Sequence, residues 1–233
     1  MLLQGAGQAL CVWQQRTEAI CFLDVGQGDG ILIRSPDGRN IVIDGGSTSQ
    51  SKCGTYTLLP ALRSQGMTEI DCWFVTHTDE DHISGLKELL LQGKLTQIKV
   101  RTVVFSAYVF QDAALAELEA VIRAAGITIV WMREGDVIGD DTFTLTCLHP
   151  TAEYRAKDKN AASLALAYHS DTFDMLFTGD MDADAVADMD IQQDYDCIKL
   201  PHHGSKYSYV EGVYAHADLS LIHISEPTRH AQI

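Results

Sequence analysis

Five separate apolar runs in this chain end on, or just before, a carboxylate or an imidazole. They are Asn40-Ile-Val-Ile-Asp44, Ile70-Asp-Cys-Trp-Phe-Val-Thr-His77, Phe143-Thr-Leu-Thr-Cys-Leu-His149, Met175-Leu-Phe-Thr-Gly-Asp180 and Cys197-Ile-Lys-Leu-Pro-His202. Short apolar runs broken by turn residues read as buried strands. A strand delivers the residue at its end to the rim of a sheet. Repetition of one ending therefore predicts a fold in which strand ends from distant parts of the chain converge on a common edge. Convergence makes the site; no single motif does.

The richest ending follows Thr76. His77, Asp79, Asp81 and His82 lie within six residues, and imidazole and carboxylate are the usual ligands of zinc, manganese and iron. Alone, such a stretch could be a solvated acidic turn with Asp79 or Asp81 as a helix N-cap. The flanking histidines and the matching groups farther along favour metal ligation. With Asp180 and one of His202 or His203, the donors suffice for two adjacent divalent cations, Zn²⁺ or Mn²⁺. Asp180 arrives alone from a separate strand and is the natural bridge. Two cations hold a hydroxide between them and stabilise both the attacking and the leaving oxygen, so no serine or cysteine nucleophile is required. Asp81, His82 and Asp180 are thus expected to carry catalysis. His202, His203 or Lys206 would contact phosphate or protonate the leaving group.

Other polar groups have competing readings. Asp44, before Gly45-Gly46, is either a turn former or a support for a ligand; Asp29 is a candidate for the same supporting role, and Asn160 could face the site. His149, before Pro150, is either a ligand or a strand-end histidine packed on the proline. Asp180-Met-Asp-Ala-Asp184 mimics a calcium loop, but Ala185 and Ile191 replace its glycine and closing glutamate. Asp182 and Asp184 then read as acids favouring a helix N-terminus. Gly26-Gln-Gly-Asp-Gly30 opens no helix and is no phosphate loop.

Between these motifs, helical patterns span 56–66, 83–91 and 112–125, the last with Leu115, Leu118, Val121 and Ile122 on one face. Strand-rich halves with interspersed helices predict one α/β domain over residues 18–222, two mixed sheets packed face to face with helices outside. No apolar run approaches the ~20 residues of a membrane span. Residues 1–17 lack the basic start and long apolar centre of a signal peptide and read as a leader or the remnant of an upstream segment. The six cysteines are scattered and form no disulfide framework. The net charge of −15 opposes a broad electrostatic grip on nucleic acid.

His77-x-Asp79-x-Asp81-His82 resembles the H-x-[HD]-x-D-H signature of metallo-β-lactamase-fold hydrolases. Phe22-Leu-Asp-Val-Gly-Gln-Gly-Asp29, Ile43-Asp-Gly-Gly46, Phe177-Thr-Gly-Asp180 and His202-His-Gly-Ser205 look like the ComEC branch, whose domain lies at the C-terminus of a membrane DNA-uptake protein of natural competence. The resemblance runs from about Phe22 to Ser220. It implies an αββα sandwich, a divalent-metal site and a nuclease acting on one strand of incoming DNA. Relatives include phosphorylcholine esterases, so a small ester, lactone or phosphocholine-type substrate is the alternative; a metal-free binding module is a third reading. The membrane part is not in this sequence. The chain is then either a fragment, tethered to the cell membrane through an upstream channel domain, or a free-standing cytoplasmic enzyme. The family pattern fails after Leu221, so 223–233 read as a non-native tail and the second sheet as C-terminally truncated.

Overall fold

The computed structural model describes residues 18–189, 191 and 193–221. The readings of 1–17 as a leader and of 223–233 as a foreign tail lie outside the described residues.

Two six-stranded mixed sheets face each other. The first runs in sequence order, β1 (Ala19–Phe22), β2 (Gly30–Arg34), β3 (Asn40–Asp44), β4 (Glu69–Phe74), β5 (Lys99–Ser106) and β6 (Thr128–Met132). Its first three strands form an antiparallel meander, and β3 through β6 are parallel. Parallel neighbours need a crossover. Three helical segments supply it: α1 (Leu59–Ser64), preceded by a π-helical turn at Gly54–Leu58, then α2 (Glu80–Gln92) and α3 (Ala113–Ala124). The second sheet reads β12-β11-β10-β9-β8-β7. It is built from β7 (Val137–Gly139), β8 (Phe143–His149), β9 (Ala165–Ser170), β10 (Asp174–Phe177), β11 (Tyr195–Lys199) and β12 (Ala217–Leu221), with α4 (Ala183–Asp188) between β10 and β11.

Strand alternation assigns each face. Ile31, Ile33, Ile41, Ile43, Phe74 and Val104 point between the sheets, against Phe143, Leu145, Leu166, Tyr168 and Phe177. Their neighbours Leu32, Val42, Trp73 and Val103 point outward and are covered by Leu62, Leu86, Leu89, Leu118 and Ile122 of the helices. On the other side Ala165, Ala167, Leu176 and Ile198 pack beneath Ala185 and Val186 of α4. The expected αββα sandwich is therefore present. Helix α2 starts at Glu80, three residues before the expected Ile83, so Asp81 and His82 belong to its first turn rather than to a free loop. α3 matches its periodicity, with Asp112 Oδ1 accepting the Leu115 N–H at 2.9 Å as an N-cap. No helix among the described residues is long and apolar enough to cross a membrane.

Candidate metal centre

Asp44 organises the site from behind. It closes β3 in the left-handed region, with φ of 55°, and the two glycines after it carry the chain against α2. A Cβ on Gly46 would stand 2.5 Å from the Glu80 carbonyl and 2.6 Å from the His82 nitrogen. Only a glycine lets this loop touch the start of the helix. Asp44 Oδ1 accepts the Thr76 N–H at 2.8 Å; its Oδ2 accepts the Thr76 hydroxyl at 2.7 Å and His82 Nδ1–H at 2.9 Å.

These bonds fix tautomers. The Thr76 hydroxyl gives its proton to Asp44, so its oxygen accepts from His77 Nδ1, 3.1 Å away. His149 Nδ1 lies 3.0 Å from the Ser163 carbonyl, which can only accept. All three rings thus hold a proton on Nδ1 and offer Nε2 outward, the usual arrangement of metal-binding histidines. The Nε2 atoms of His77 and His149 are buried without a hydrogen-bond partner, and those of His82 and His203 face only the Asp180 carboxylate. Each such orphan costs about 1–3 kcal/mol. Native proteins rarely tolerate several together unless an ion completes them.

Donors from three parts of the chain meet here. Ligand atoms of Asp81, His82, Asp180 and His203 all lie within 4.8 Å of one another. Asp180 Oδ2 stands 3.3 Å from His82 Nε2 and 3.3 Å from His203 Nε2. His77 and His82 approach to 4.0 Å between ring centroids, and His77 Nε2 is 3.7 Å from Asp79 Oδ2. The mixed nitrogen and oxygen set fits a divalent cation.

The electrostatics are uneven. Burial alone would raise the Asp180 carboxyl, but His82 and Lys199 outweigh it and hold it well below the usual carboxylate range. Burial would likewise lower the His82 imidazole, yet Asp180 and Asp44 hold it well above its ordinary value. His77 goes the other way: burial depresses it and the charge on His82 adds to the effect.

The remaining expected residues are placed as follows. Asp29 is buried behind the cluster, with Oδ1 3.6 Å from His203 Nδ1 and Oδ2 3.9 Å from His82 Nδ1. Asp79 is the N-cap residue of α2, its side chain 41% exposed and paired with Lys159 at 3.0 Å. His149 is fully buried against the Tyr154 ring, and it is not among the four clustered donors. His202 and His203 both take left-handed backbone, and their rings are 6.1 Å apart. Lys206 is exposed and lies over the Tyr207 ring. The Asn160 carbonyl accepts the Ser163 N–H.

Sequence reasoning missed Lys199. Its ammonium is 1% exposed, pairs with Asp29 Oδ2, lies 3.5 Å from Asp180 Oδ1 and donates to the Gly179 carbonyl at 3.0 Å. A lysine inside the apolar run before Pro201 was the available signal, since lysine is almost never fully buried unless paired. Thr76 and Ser163 were also missed. The Ser163 hydroxyl accepts the Asp180 N–H at 3.2 Å and lies 3.5 Å from His77 Nδ1.

The family model described as Metallo-beta-lactamase superfamily matches residues 23–152. ComE operon protein 3 of Bacillus subtilis (strain 168) is 31% identical over 203 residues, covering 80% of this chain; the chain spans 25% of that protein's length. Among solved structures, the metallo-beta-lactamase fold protein YhfI from Bacillus subtilis is 15% identical with a TM-score of 0.48, over 74% of this chain and 62% of that one. Zn²⁺-bound PqqB from Methylobacterium extorquens is 12% identical with a TM-score of 0.45, over 74% of this chain and 59% of that one.

Proposed function

The chain belongs to the metallo-beta-lactamase superfamily, and from that premise we propose that it is a metal-dependent phosphodiesterase cleaving single-stranded DNA. The observation that carries the reading is the convergence of buried donors, with His82 and His203 Nε2 turned on Asp180 and His77 and His149 Nε2 left without partners. Asp81, His82, Asp180 and His203 would hold one divalent cation, and His77, Asp79 and His149 a second. When bound, Zn²⁺ or Mn²⁺ would supply an activated water and Lewis-acid stabilisation of phosphoryl charge. The chain's own groups do the rest. Asp44 keeps the proton of His82 on Nδ1, and Thr76 does the same for His77. His202 or Lys206 would contact a non-bridging phosphate oxygen or return a proton to the leaving oxygen.

The similarity to ComE operon protein 3 supports a role in DNA uptake, with this domain attached to an upstream membrane channel. Asp81→Ala should abolish cleavage of single-stranded DNA in Mn²⁺. A purified variant that cleaves as fast as the parent would overturn the mechanism. The net charge of −15 favours a second reading, hydrolysis of a neutral or cationic ester or lactone on the same site. A panel of single-stranded DNA, bis-p-nitrophenyl phosphate and lactones, with and without EDTA, separates the two.

A further inference from the structure

The turn after His203 carries two exposed aromatic rings. Tyr207 is 77% exposed and Tyr209 58%, which makes this short stretch the densest group of exposed large apolar side chains beside the site among the described residues. Tyr207 stands four positions after His203, so at most about 14 Å of chain lies between them. The turn is built, not loose. Ser205 Oγ accepts the Tyr207 N–H at 3.3 Å, the Ser208 N–H donates to the Ser205 carbonyl at 3.0 Å, and Ser208 is buried between the two tyrosines. Lys206 Nζ lies 5.1 Å from the centroid of the Tyr207 ring, placing a cation on the same turn.

We propose that Tyr207 and Tyr209 form a stacking platform for unpaired nucleobases flanking the scissile phosphate, with Lys206 serving the adjoining phosphate. This rests on the single-stranded DNA phosphodiesterase reading above and adds the residues that would hold its unpaired bases. A chain of net charge −15 gains little from counterion release on binding a polyanion. Stacking carries no such penalty, tolerates any sequence because every base has a π-face, and contributes between about 5- and 150-fold in affinity per base. A duplex hides its base faces and would not use the platform. Binding should also depend only weakly on salt, because few phosphates are neutralised.

The test compares two phosphorothioate-linked 12-mers, one of thymidine and one abasic, by fluorescence anisotropy on the full metal-loaded chain. The parent should prefer the thymidine oligomer by at least about 10-fold. Tyr207→Ala and Tyr209→Ala should bring the thymidine oligomer toward the abasic value, and Tyr207→Phe should keep the preference. A general folding defect would weaken both oligomers together and would not be restored by phenylalanine. If the parent binds both oligomers equally, or the alanine variants keep the full preference, the platform is refuted while the phosphodiesterase reading stands. If neither oligomer binds, the nucleic-acid substrate falls with it.

Discussion

The two halves of the candidate centre are supported by different chemistry. Around His82, Asp180 and His203 the supporting groups are charged and buried: Asp44 behind His82, Asp29 behind His203, Lys199 against Asp180. Around His77, Asp79 and His149 they are neutral or only partly buried: the Thr76 hydroxyl, the Ser163 carbonyl and Lys159. A carboxylate behind an imidazole raises its basicity as a ligand more than a carbonyl or hydroxyl does. The first half is therefore organised before any cation arrives. The second keeps Asp79 engaged with a competing ammonium. The comparison teaches that two cations would not bind alike: one equivalent should bind tightly on the Asp180 side and the other more weakly on the Asp79 side.

The strongest way to break this ordering is Asp180→Asn. It removes the carboxylate within 3.3 Å of both His82 and His203. The tight equivalent should weaken by more than about 100-fold, read by competition with a chromophoric chelator. Loss of only the weak equivalent would invert the assignment. Next comes Lys199→Met. Removing the ammonium takes from Asp29 and Asp180 their shared buried cation and leaves only the histidines beside them, a loss of about 3–5 kcal/mol in urea denaturation of the metal-free chain. Lys199→Met combined with Asp29→Asn should be less destabilised than Lys199→Met alone. A double variant that is simply worse would show that the pair does not act as a unit.

The same contrast explains what was legible in the sequence. Asp44, His77, His82, Asp180 and His203 could be read because each ends a strand or follows one closely, and that pattern survives without any knowledge of packing. β3 and the periodic helix α3 were legible for the same local reason. The start of α2 was not: its first turn is filled by ligands, and polar ligands mask the helical period. Lys199 showed only as a lysine out of place in an apolar run, because its meaning depends on Asp29, a residue far earlier in the chain that reaches it only after the two sheets pack. Thr76 and Ser163 carry no signature, since a hydroxyl beside a ligand looks like any other. The candidate donors and the carboxylate support Asp44 were written in local sequence, whereas Lys199, Thr76 and Ser163 acquire their roles only through tertiary structure.

Two smaller changes sharpen the comparison by acting behind the ligands. Asp44→Asn removes the charge but not the shape behind His82, and should weaken the tight equivalent by about 10- to 100-fold. Thr76→Val should act on the weak equivalent directly through His77, and on the tight one only through Asp44, which keeps its bonds from His82 and the Thr76 N–H; both effects should be smaller. If Asp44→Asn weakened both equally, the distinction between charged and neutral support would be lost.

The smallest expected effect has the opposite sign. Lys159 bridges Asp79 at 3.0 Å and Asp112 at 2.9 Å, with its own side chain 26% exposed. Pairs this exposed contribute roughly 0–1 kcal/mol, so the ammonium can hold Asp79 back from a cation by no more than about 5-fold. Lys159→Ala should therefore tighten the weak equivalent slightly and leave the tight one alone, while α3 loses only a partner of its capping aspartate. Isothermal titration of both equivalents in one experiment provides the internal control. A weak equivalent that loosens on losing Lys159 would mean the lysine positions Asp79 as a ligand instead of competing for it, and the second half would then be as deliberately supported as the first.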